Sequence, residues 1–201
     1  ERIDIEGNTT TLDRVIRRQF DMAEGDPFNP RQIREAAERI RALNFFSDTD
    51  VNAREGSRPD QVVVDVNVEE KTTGSLTFGA SYSTNSGVGL SIGFQERNFL
   101  GRGQELTAAI SASENNLNYN FSFAEPAFLG RDVEFGLDFA LMETESDFSE
   151  FDTVDGVFRP SLTFPVSENG RLSLYYQAGY QEISNYVGRS GVLTAESKMG
   201  E

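Results

Sequence analysis

The spacing of hydrophobic residues along this chain changes near residue 74. Up to Glu70 the apolar residues follow a mixture of helical and strand spacings, whereas after Gly74 they alternate with polar residues over long stretches. Apolar residues roughly three to four positions apart predict a helix, and strict alternation predicts a strand with one apolar face. The pattern therefore predicts an α+β domain over residues 1–72 and an all-β segment over residues 73–201.

The first domain opens with an alternating strand, Arg2–Ile5, followed by a predicted helix. Thr11 and Asp13 are residue types that cap helix N-termini. The apolar residues Leu12, Val15, Ile16 and Phe20 come next at helical spacing. We expect the segment Glu24–Pro27, which contains glycine and proline, to end this helix.

A second helix and a strand pair complete the first domain. Asn29 is a capping residue type, and Pro30 fits the first helical position, so the helix should run from there to about Asn44. Thr49–Arg54 and Val62–Val68 read as two strands joined by a turn. The predicted order is strand, helix, helix, strand, strand.

After Gly74 each alternating stretch has roughly the 9–11 residues that a tilted membrane strand requires. The predicted apolar face includes Leu76, Phe78, Ala80, Tyr82, Val88, Leu90, Ile92, Phe94, Leu106, Ala108, Ile110, Phe121, Phe139, Phe158 and Leu174. The opposite face is small or polar. We expect about seven antiparallel strands belonging to an incomplete transmembrane β-barrel.

The connections between these strands alternate in character. Asn98–Gly103, Glu125–Arg131 and Ser167–Gly170 contain the glycine or proline of short turns, whereas Glu143–Asp155 is long and acidic. Outer-membrane barrels have short periplasmic turns and longer external loops. If the first strand leaves a periplasmic domain, the three short turns fall on the periplasmic side.

Composition excludes several functions. The net charge of -15 argues against a nucleic-acid partner, which needs clustered basic residues. The chain has no Cys or His, which removes thiol nucleophiles, His-based triads and the usual zinc sites. No carboxylates stand in a spacing that indicates acid–base catalysis. We therefore expect no enzyme, no metal site and no cofactor.

Short sequence words give the chain a family resemblance. They are Ile5-Glu6-Gly7-Asn8, Arg17-Arg18, Glu24-Gly25-Asp26, Leu43-Asn44-Phe45-Phe46, Pro59-Asp60-Gln61-Val62, Val68-Glu69-Glu70, Thr73-Gly74-Ser75, Gln95-Glu96-Arg97-Asn98-Phe99-Leu100-Gly101-Arg102-Gly103 and Phe123-Ala124-Glu125-Pro126-Ala127-Phe128. In this order they resemble the last POTRA domain and the first barrel strands of BamA-like outer-membrane assembly proteins. The resemblance spans nearly the whole chain.

The resemblance implies a location and partners. It implies the outer membrane of a Gram-negative bacterium, with the POTRA domain in the periplasm. Its partners would be unfolded β-barrel clients, accessory outer-membrane lipoproteins and outer-membrane lipids. It further implies that the first barrel strand forms a lateral seam at which a client strand can pair.

Two predicted edges could bind extended chains, because an open sheet edge presents N–H and C=O groups that need partners. The seam comprises Ser75, Leu76, Thr77, Phe78, Gly79, Ala80, Ser81, Tyr82, Ser83 and Thr84. The POTRA edge strand comprises Ser47, Asp48, Thr49, Asp50, Val51, Asn52, Ala53 and Arg54. As plain structural strands both would look the same in sequence.

Charged residues provide two further hypotheses. The resemblance implies that Arg17 and Glu24 lie near the docking surface of an accessory lipoprotein. Four arginines at predicted periplasmic turns, Arg97, Arg102, Arg131 and Arg171, could anchor the barrel against lipid phosphates. Salt bridges to neighbouring acids are the alternative, and insertion of Gln variants into anionic and neutral bilayers would separate the two.

Three alternative functions stay open at the level of sequence. A POTRA-barrel transporter of two-partner secretion would share both halves of the pattern. A passive porin with an unrelated periplasmic module would share the barrel half. A soluble β-sandwich or lipocalin-like binder would share the alternation but not the many long strands with aromatic-rich outer faces.

Overall fold

The computed structural model describes residues 2–22, 25–57, 61–84, 86–145, 151–167 and 170–184. It divides into two compact units. The first unit is Glu1–Gly74 together with Arg97–Gln104, and the second is Ser75–Glu96 together with Glu105–Glu201. Within the described ranges, no helix has the length and apolar character needed to cross a membrane.

The described part of the first unit contains a three-stranded sheet and two helices. Its elements are β1 (Arg2–Glu6), α1 (Asp13–Arg17), α2 (Pro30–Ala42), β2 (Phe46–Glu55) and β3 (Val62–Glu70). The central strand β3 pairs parallel with β1 and antiparallel with β2, so the sheet order is β1-β3-β2. This is the predicted order of elements.

A single apolar core holds this unit together. It consists of Ile3, Val15, Ile16, Phe20, Met22, Ile33, Ala36, Ile40, Phe45, Phe46, Val64, Val66 and Val68. Alternate residues of β3 and one face of α2 supply six of these thirteen residues, as their spacings predict. Burial of these side chains is the main stabilising contribution to the domain.

The two helix predictions have different outcomes. The prediction for α2 is confirmed: Asn29 is its N-cap, the Asn29 side chain accepts a hydrogen bond from the N–H of Arg31, and Pro30 begins the helix. The prediction of Thr11 and Asp13 as caps for α1 is wrong. Leu12 is the N-cap without a side-chain cap, and α1 ends at Arg17 rather than beyond Phe20. Thr11 instead bonds Glu70 through its N–H and Asn98 through its hydroxyl.

The second unit is an antiparallel sheet of long strands. They are β4 (Gly74–Ser83), β5 (Gly87–Phe99), β6 (Gln104–Ala112), β7 (Asn116–Glu125), β8 (Glu134–Thr144), β9 (Asp152–Ser167), β10 (Gly170–Tyr175) and β11 (Ala178–Ser184). Neighbours along the chain are neighbours in the sheet, except that β11 pairs with β9 and not with β10. The fold class predicted from sequence, an α+β POTRA domain followed by antiparallel strands of an incomplete barrel, is confirmed.

Within the described residues, eight strand segments occupy seven places in the sheet, and the sequence predicts about seven strands over residues 73–201. β10 pairs with residues 161–167 of β9 and β11 pairs with residues 152–158, so the two segments share one place in the sheet. Tyr176 and Gln177 interrupt them, and the N–H of Tyr176 still bonds the C=O of Pro160. The acidic loop is also shorter than Glu143–Asp155, because Glu143 pairs with Val154 and Met142 pairs with Asp155.

The two faces of this sheet are consistent across strands. On the apolar face Ala108, Phe121, Phe139 and Phe158 lie side by side in register. On the polar face the Ser122 hydroxyl donates to Asp138 over 2.8 Å, and Arg159 forms a 3.0 Å ion pair with the same carboxylate. Such separation of faces suits lipid on one side and water on the other.

Candidate functional site: two sheet edges and a carboxylate-bound loop

β4 is the terminal strand of the larger sheet, and within the described residues it pairs with β5 alone. The predicted seam therefore lies on a sheet edge. Its last residue is an exception: β4 ends at Ser83, and Thr84 lies in the following turn.

The hydrogen-bonding direction of each β4 residue follows from its register. The N–H of Arg97 bonds the C=O of Thr73, and residues 79 and 81 lie opposite Ser91 and Gly89. Because the direction alternates along an antiparallel strand, odd-numbered β4 residues bond β5. The even-numbered residues Leu76, Phe78, Ala80 and Tyr82 direct their N–H and C=O groups away from β5.

Side chains of the even-numbered residues are also strongly exposed. Phe78 is 71% exposed and Tyr82 is 78% exposed, and Leu76 is exposed as well. These residues lie on the apolar face, where lipid would replace water as the neighbour. The outward backbone groups and the lipid-facing side chains thus belong to the same residues.

On the polar face, β4 and β5 twice place a glycine opposite a serine. A Cβ atom added at Gly79 would lie 2.4 Å from the Ser91 hydroxyl oxygen, and one added at Gly89 would lie 2.6 Å from that of Ser81. Each glycine therefore leaves room for the serine opposite it. Since cross-strand side-chain pairs stabilise sheets, the pairing on this face rests mainly on backbone hydrogen bonds.

The second predicted edge, on the POTRA sheet, belongs to β2. Among the residues that the structure describes, β2 pairs with β3 alone in the three-stranded sheet. The N–H of Gly56 bonds the C=O of Gln61, so even-numbered β2 residues bond β3 and Thr49, Val51 and Ala53 face outward. The guanidinium of Arg41 already donates to the C=O of Thr49 over 3.0 Å. An added strand would therefore meet open backbone groups mainly from Val51 onward.

The carboxylate-bound loop of the first unit, residues 9–11, carries no local signal in the sequence. The Glu70 carboxylate accepts hydrogen bonds from the Thr9 hydroxyl over 2.6 Å, from the N–H of Thr11 over 2.6 Å and from the N–H of Thr10 over 2.9 Å. Burial by itself would raise the pKa of Glu70, but the hydrogen bonds from Thr9, Thr11 and Thr10 outweigh it and lower the pKa to about 2. Glu70 thus orders residues 9–11 as a charged acceptor.

This arrangement predicts a pH dependence for the first unit. The folded pKa of Glu70 is about 2 and its ordinary value is 4.5. The stabilisation is complete above the ordinary value and is lost as the pH falls through the folded value. Between about pH 5 and pH 2, we expect the free energy of unfolding of the parent protein to fall by about 1–2 kcal/mol more than that of the Glu70→Gln variant, after allowance for solvent screening. Urea unfolding at each pH measures this free energy. An equal fall in both proteins would contradict the prediction.

The structure gives Arg17 a local role. Its guanidinium forms a 3.0 Å ion pair with Asp13 and donates to the C=O of Ile3 over 3.4 Å. Glu24 lies outside the described residues. Docking of an accessory lipoprotein at Arg17 and Glu24 stays a prediction.

The four turn arginines have different surroundings. Arg97 and Arg102 belong to the first unit, whereas Arg131 and Arg171 belong to the second. Arg171 forms a 3.0 Å ion pair with Asp132 at the surface. An exposed pair of this kind exchanges readily with other anions, so anchoring to lipid phosphate stays a prediction for all four residues.

Comparison with known proteins agrees with both halves of the fold. A family model described as the Omp85 superfamily domain matches residues 98–198, and a POTRA model described as surface antigen variable number repeat matches residues 1–71. The outer membrane protein assembly factor BamA of Nitratidesulfovibrio vulgaris is 31% identical over 90% of this chain and 23% of its own length. The chain spans about a quarter of the length of the curated relatives it matches.

Solved structures extend the comparison. The crystal structure of BamA from Haemophilus ducreyi lacking POTRA domains 1–3 matches with a TM-score of 0.76 and 26% identity, over 92% of this chain and 36% of that one. CdiB from Escherichia coli matches with a TM-score of 0.59 and 16% identity, over 92% of this chain and 37% of that one. The second likeness shows the fold alone.

A POTRA domain followed by long antiparallel strands with one apolar face defines the class of outer-membrane POTRA-barrel proteins. Its location is the outer membrane of a Gram-negative bacterium, with the POTRA domain in the periplasm. The chain belongs to the Omp85 superfamily.

Proposed function

We propose that the whole protein assembles β-barrel proteins in the outer membrane, and that this chain supplies two of its binding edges. Client strands pair with β4 at the seam, and the POTRA domain captures extended client segments at β2. Relatives named outer membrane protein assembly factor BamA, at 26–31% identity, support the assembly role. We also propose that the POTRA domain comprises residues 1–72 and the barrel segment residues 73–201.

The observation that carries the proposal is the outward edge of β4. Leu76, Phe78, Ala80 and Tyr82 direct backbone N–H and C=O groups away from β5. In a bilayer each unpaired group costs several kcal/mol, so another strand must satisfy them. A client strand can do so without nucleotide hydrolysis, because the folding free energy of the client drives the process.

Reconstitution of the full-length parent in liposomes tests this proposal. The folding rate of an added β-barrel client should rise above the rate in empty liposomes. A large stable conductance without faster client folding would favour a passive porin instead. Translocation of a polypeptide into the liposome lumen without barrel folding would favour a secretion transporter.

The POTRA edge has its own test. Ala53→Pro removes an N–H that faces away from β3 and leaves the β2–β3 hydrogen bonds intact. We expect the dissociation constant for an extended peptide with alternating apolar residues to rise by about five- to tenfold, because a backbone hydrogen bond is lost. Fluorescence anisotropy of a labelled peptide measures this. Ala53→Val keeps the N–H and should bind like the parent; equal binding of all three proteins would exclude β2 as the capture edge.

A further inference from the structure

The turn between β5 and β6 belongs to the first compact unit. The unit that contains Glu1–Gly74 also includes Arg97–Gln104, although these residues connect two strands of the larger sheet. We define Asn98–Gly103 as the docked turn. It contacts the loop before α1 through specific hydrogen bonds.

Asn98 is the central residue of these contacts. It is 7% exposed, and its partner Thr11 is 2% exposed. The Asn98 amide nitrogen donates to the Thr11 hydroxyl over 2.8 Å, and the Asn98 amide oxygen accepts from the N–H of Gly103 over 2.8 Å. One side chain therefore closes the turn internally and joins it to the loop. A buried polar group that lost these partners would be strongly destabilising.

Backbone contact adds to the side-chain bonds. The N–H of Leu12 donates to the C=O of Gly101 over 2.8 Å, at the start of α1. A Cβ atom added at Gly101 would lie 1.9 Å from the C=O oxygen of Thr10, and Gly101 has a φ of +69°. Glycine is thus required for both conformation and space. A Cβ atom at Gly103 would lie 3.1 Å from Val15.

Glu70 prepares the surface that receives the turn. Its carboxylate holds the N–H groups of Thr10 and Thr11, and the Thr11 hydroxyl accepts from Asn98. The C=O of Thr11 accepts from the Asn8 side chain over 2.9 Å. Residues 8–12 therefore form an ordered receptor for the docked turn.

We propose that the docked turn binds intramolecularly to residues 8–12 of the POTRA domain, and that Asn98 is the residue that positions it there. Thr73 and Arg97, which pair at the base of the β4–β5 hairpin, belong to the same unit. The first residues on either side of this hairpin base therefore belong to the POTRA unit. The docking itself stands independently of the proposed assembly function.

Amide hydrogen exchange of the full-length parent in nanodiscs tests the docking without any client. Asn98→Leu removes both side-chain hydrogen bonds, and Asn120→Leu is the matched control on an exposed strand position. We expect exchange in peptides covering residues 9–12 and 99–103 to accelerate about tenfold in Asn98→Leu, because local opening loses bonds that hold these amides. Exchange in peptides from β3 should stay at the parental rate. The control variant should exchange like the parent in all of these peptides. Parent-like exchange in Asn98→Leu, or equal acceleration in both variants, would overturn the proposal.

A double-mutant cycle covers the case in which Asn98→Leu also loosens the domain. Thr11→Val and Asn98→Ala each remove one partner of the same hydrogen bond, so their effects on exchange of the residue 99–103 peptide should not multiply independently. A coupling factor of about threefold or more supports docking through this pair. Independent effects would overturn it. Because both measurements omit a client, a failed assembly function would leave their outcome unchanged.

Discussion

Replacement of Ala80 by proline should slow client folding by about tenfold or more, since one unsatisfied backbone group in lipid costs several kcal/mol. Ala80 directs its N–H away from β5, so proline removes a donor from the seam without breaking a hydrogen bond within the sheet. The residue before it is Gly79, which tolerates the conformation that proline imposes. The measurement is the folding rate of an added barrel client in liposomes that contain the full-length parent.

Two matched variants make this result specific to the edge. Ala80→Val keeps the N–H and the lipid-facing position. Clients should therefore fold at the parental rate in liposomes that contain this variant. Ser81→Pro removes a donor that faces β5 and should lower the yield of the folded barrel itself, seen as lost heat-modifiable mobility on gels. If Ala80→Pro folds clients as fast as the parent while remaining inserted, β4 is not the exchanging edge.

Truncation of Ile40 should destabilise the POTRA domain by about 2–5 kcal/mol, because it leaves a cavity in the core. Ile40 is 0% exposed and packs in the cluster that joins α2 to the sheet. Exchange of β3 amides at increasing urea concentrations measures the free energy of unfolding. The next residue, Arg41, bonds the C=O of Thr49, so a loosened α2 should also uncover the β2 edge.

Graded substitutions provide the control for this prediction. Ile40→Val should cost about 0.5–1.5 kcal/mol, and Glu38→Ala, on the exposed face of α2, should change stability by about 0.5 kcal/mol or less. A cost for Ile40→Ala no larger than that for Glu38→Ala would mean that α2 does not depend on this core contact.

Local sequence signals predicted α2 well and α1 poorly, for one physical reason. Asn29 caps α2 through the N–H of Arg31, two residues away, so the signal and its partner lie in the same window. Thr11 is a residue type that caps helices. Its N–H, however, bonds Glu70, and its hydroxyl accepts from Asn98, 87 residues away. A long-range partner thus overrode a short-range preference.

The seam and the POTRA edge were predictable as strands, whereas their usable backbone groups were not. Alternation identified Ser75–Ser83 and the strand of Val51 and Ala53. Which residues face outward depends on register, and register is a property of two strands. Likewise, only the fold brings Arg41 to the C=O of Thr49.

By itself, the sequence determined the change from helical to alternating spacing near Gly74, the order of elements in the POTRA domain and the two faces of the barrel strands. These features follow from periodicity, which each segment carries locally. Tertiary structure alone decided that the Asn98–Gly103 turn joins the POTRA unit and that Glu70 organises its receptor. Hydrogen-bond partners and burial depend on pairs of residues far apart in the chain, and no local pattern encodes which pairs will meet.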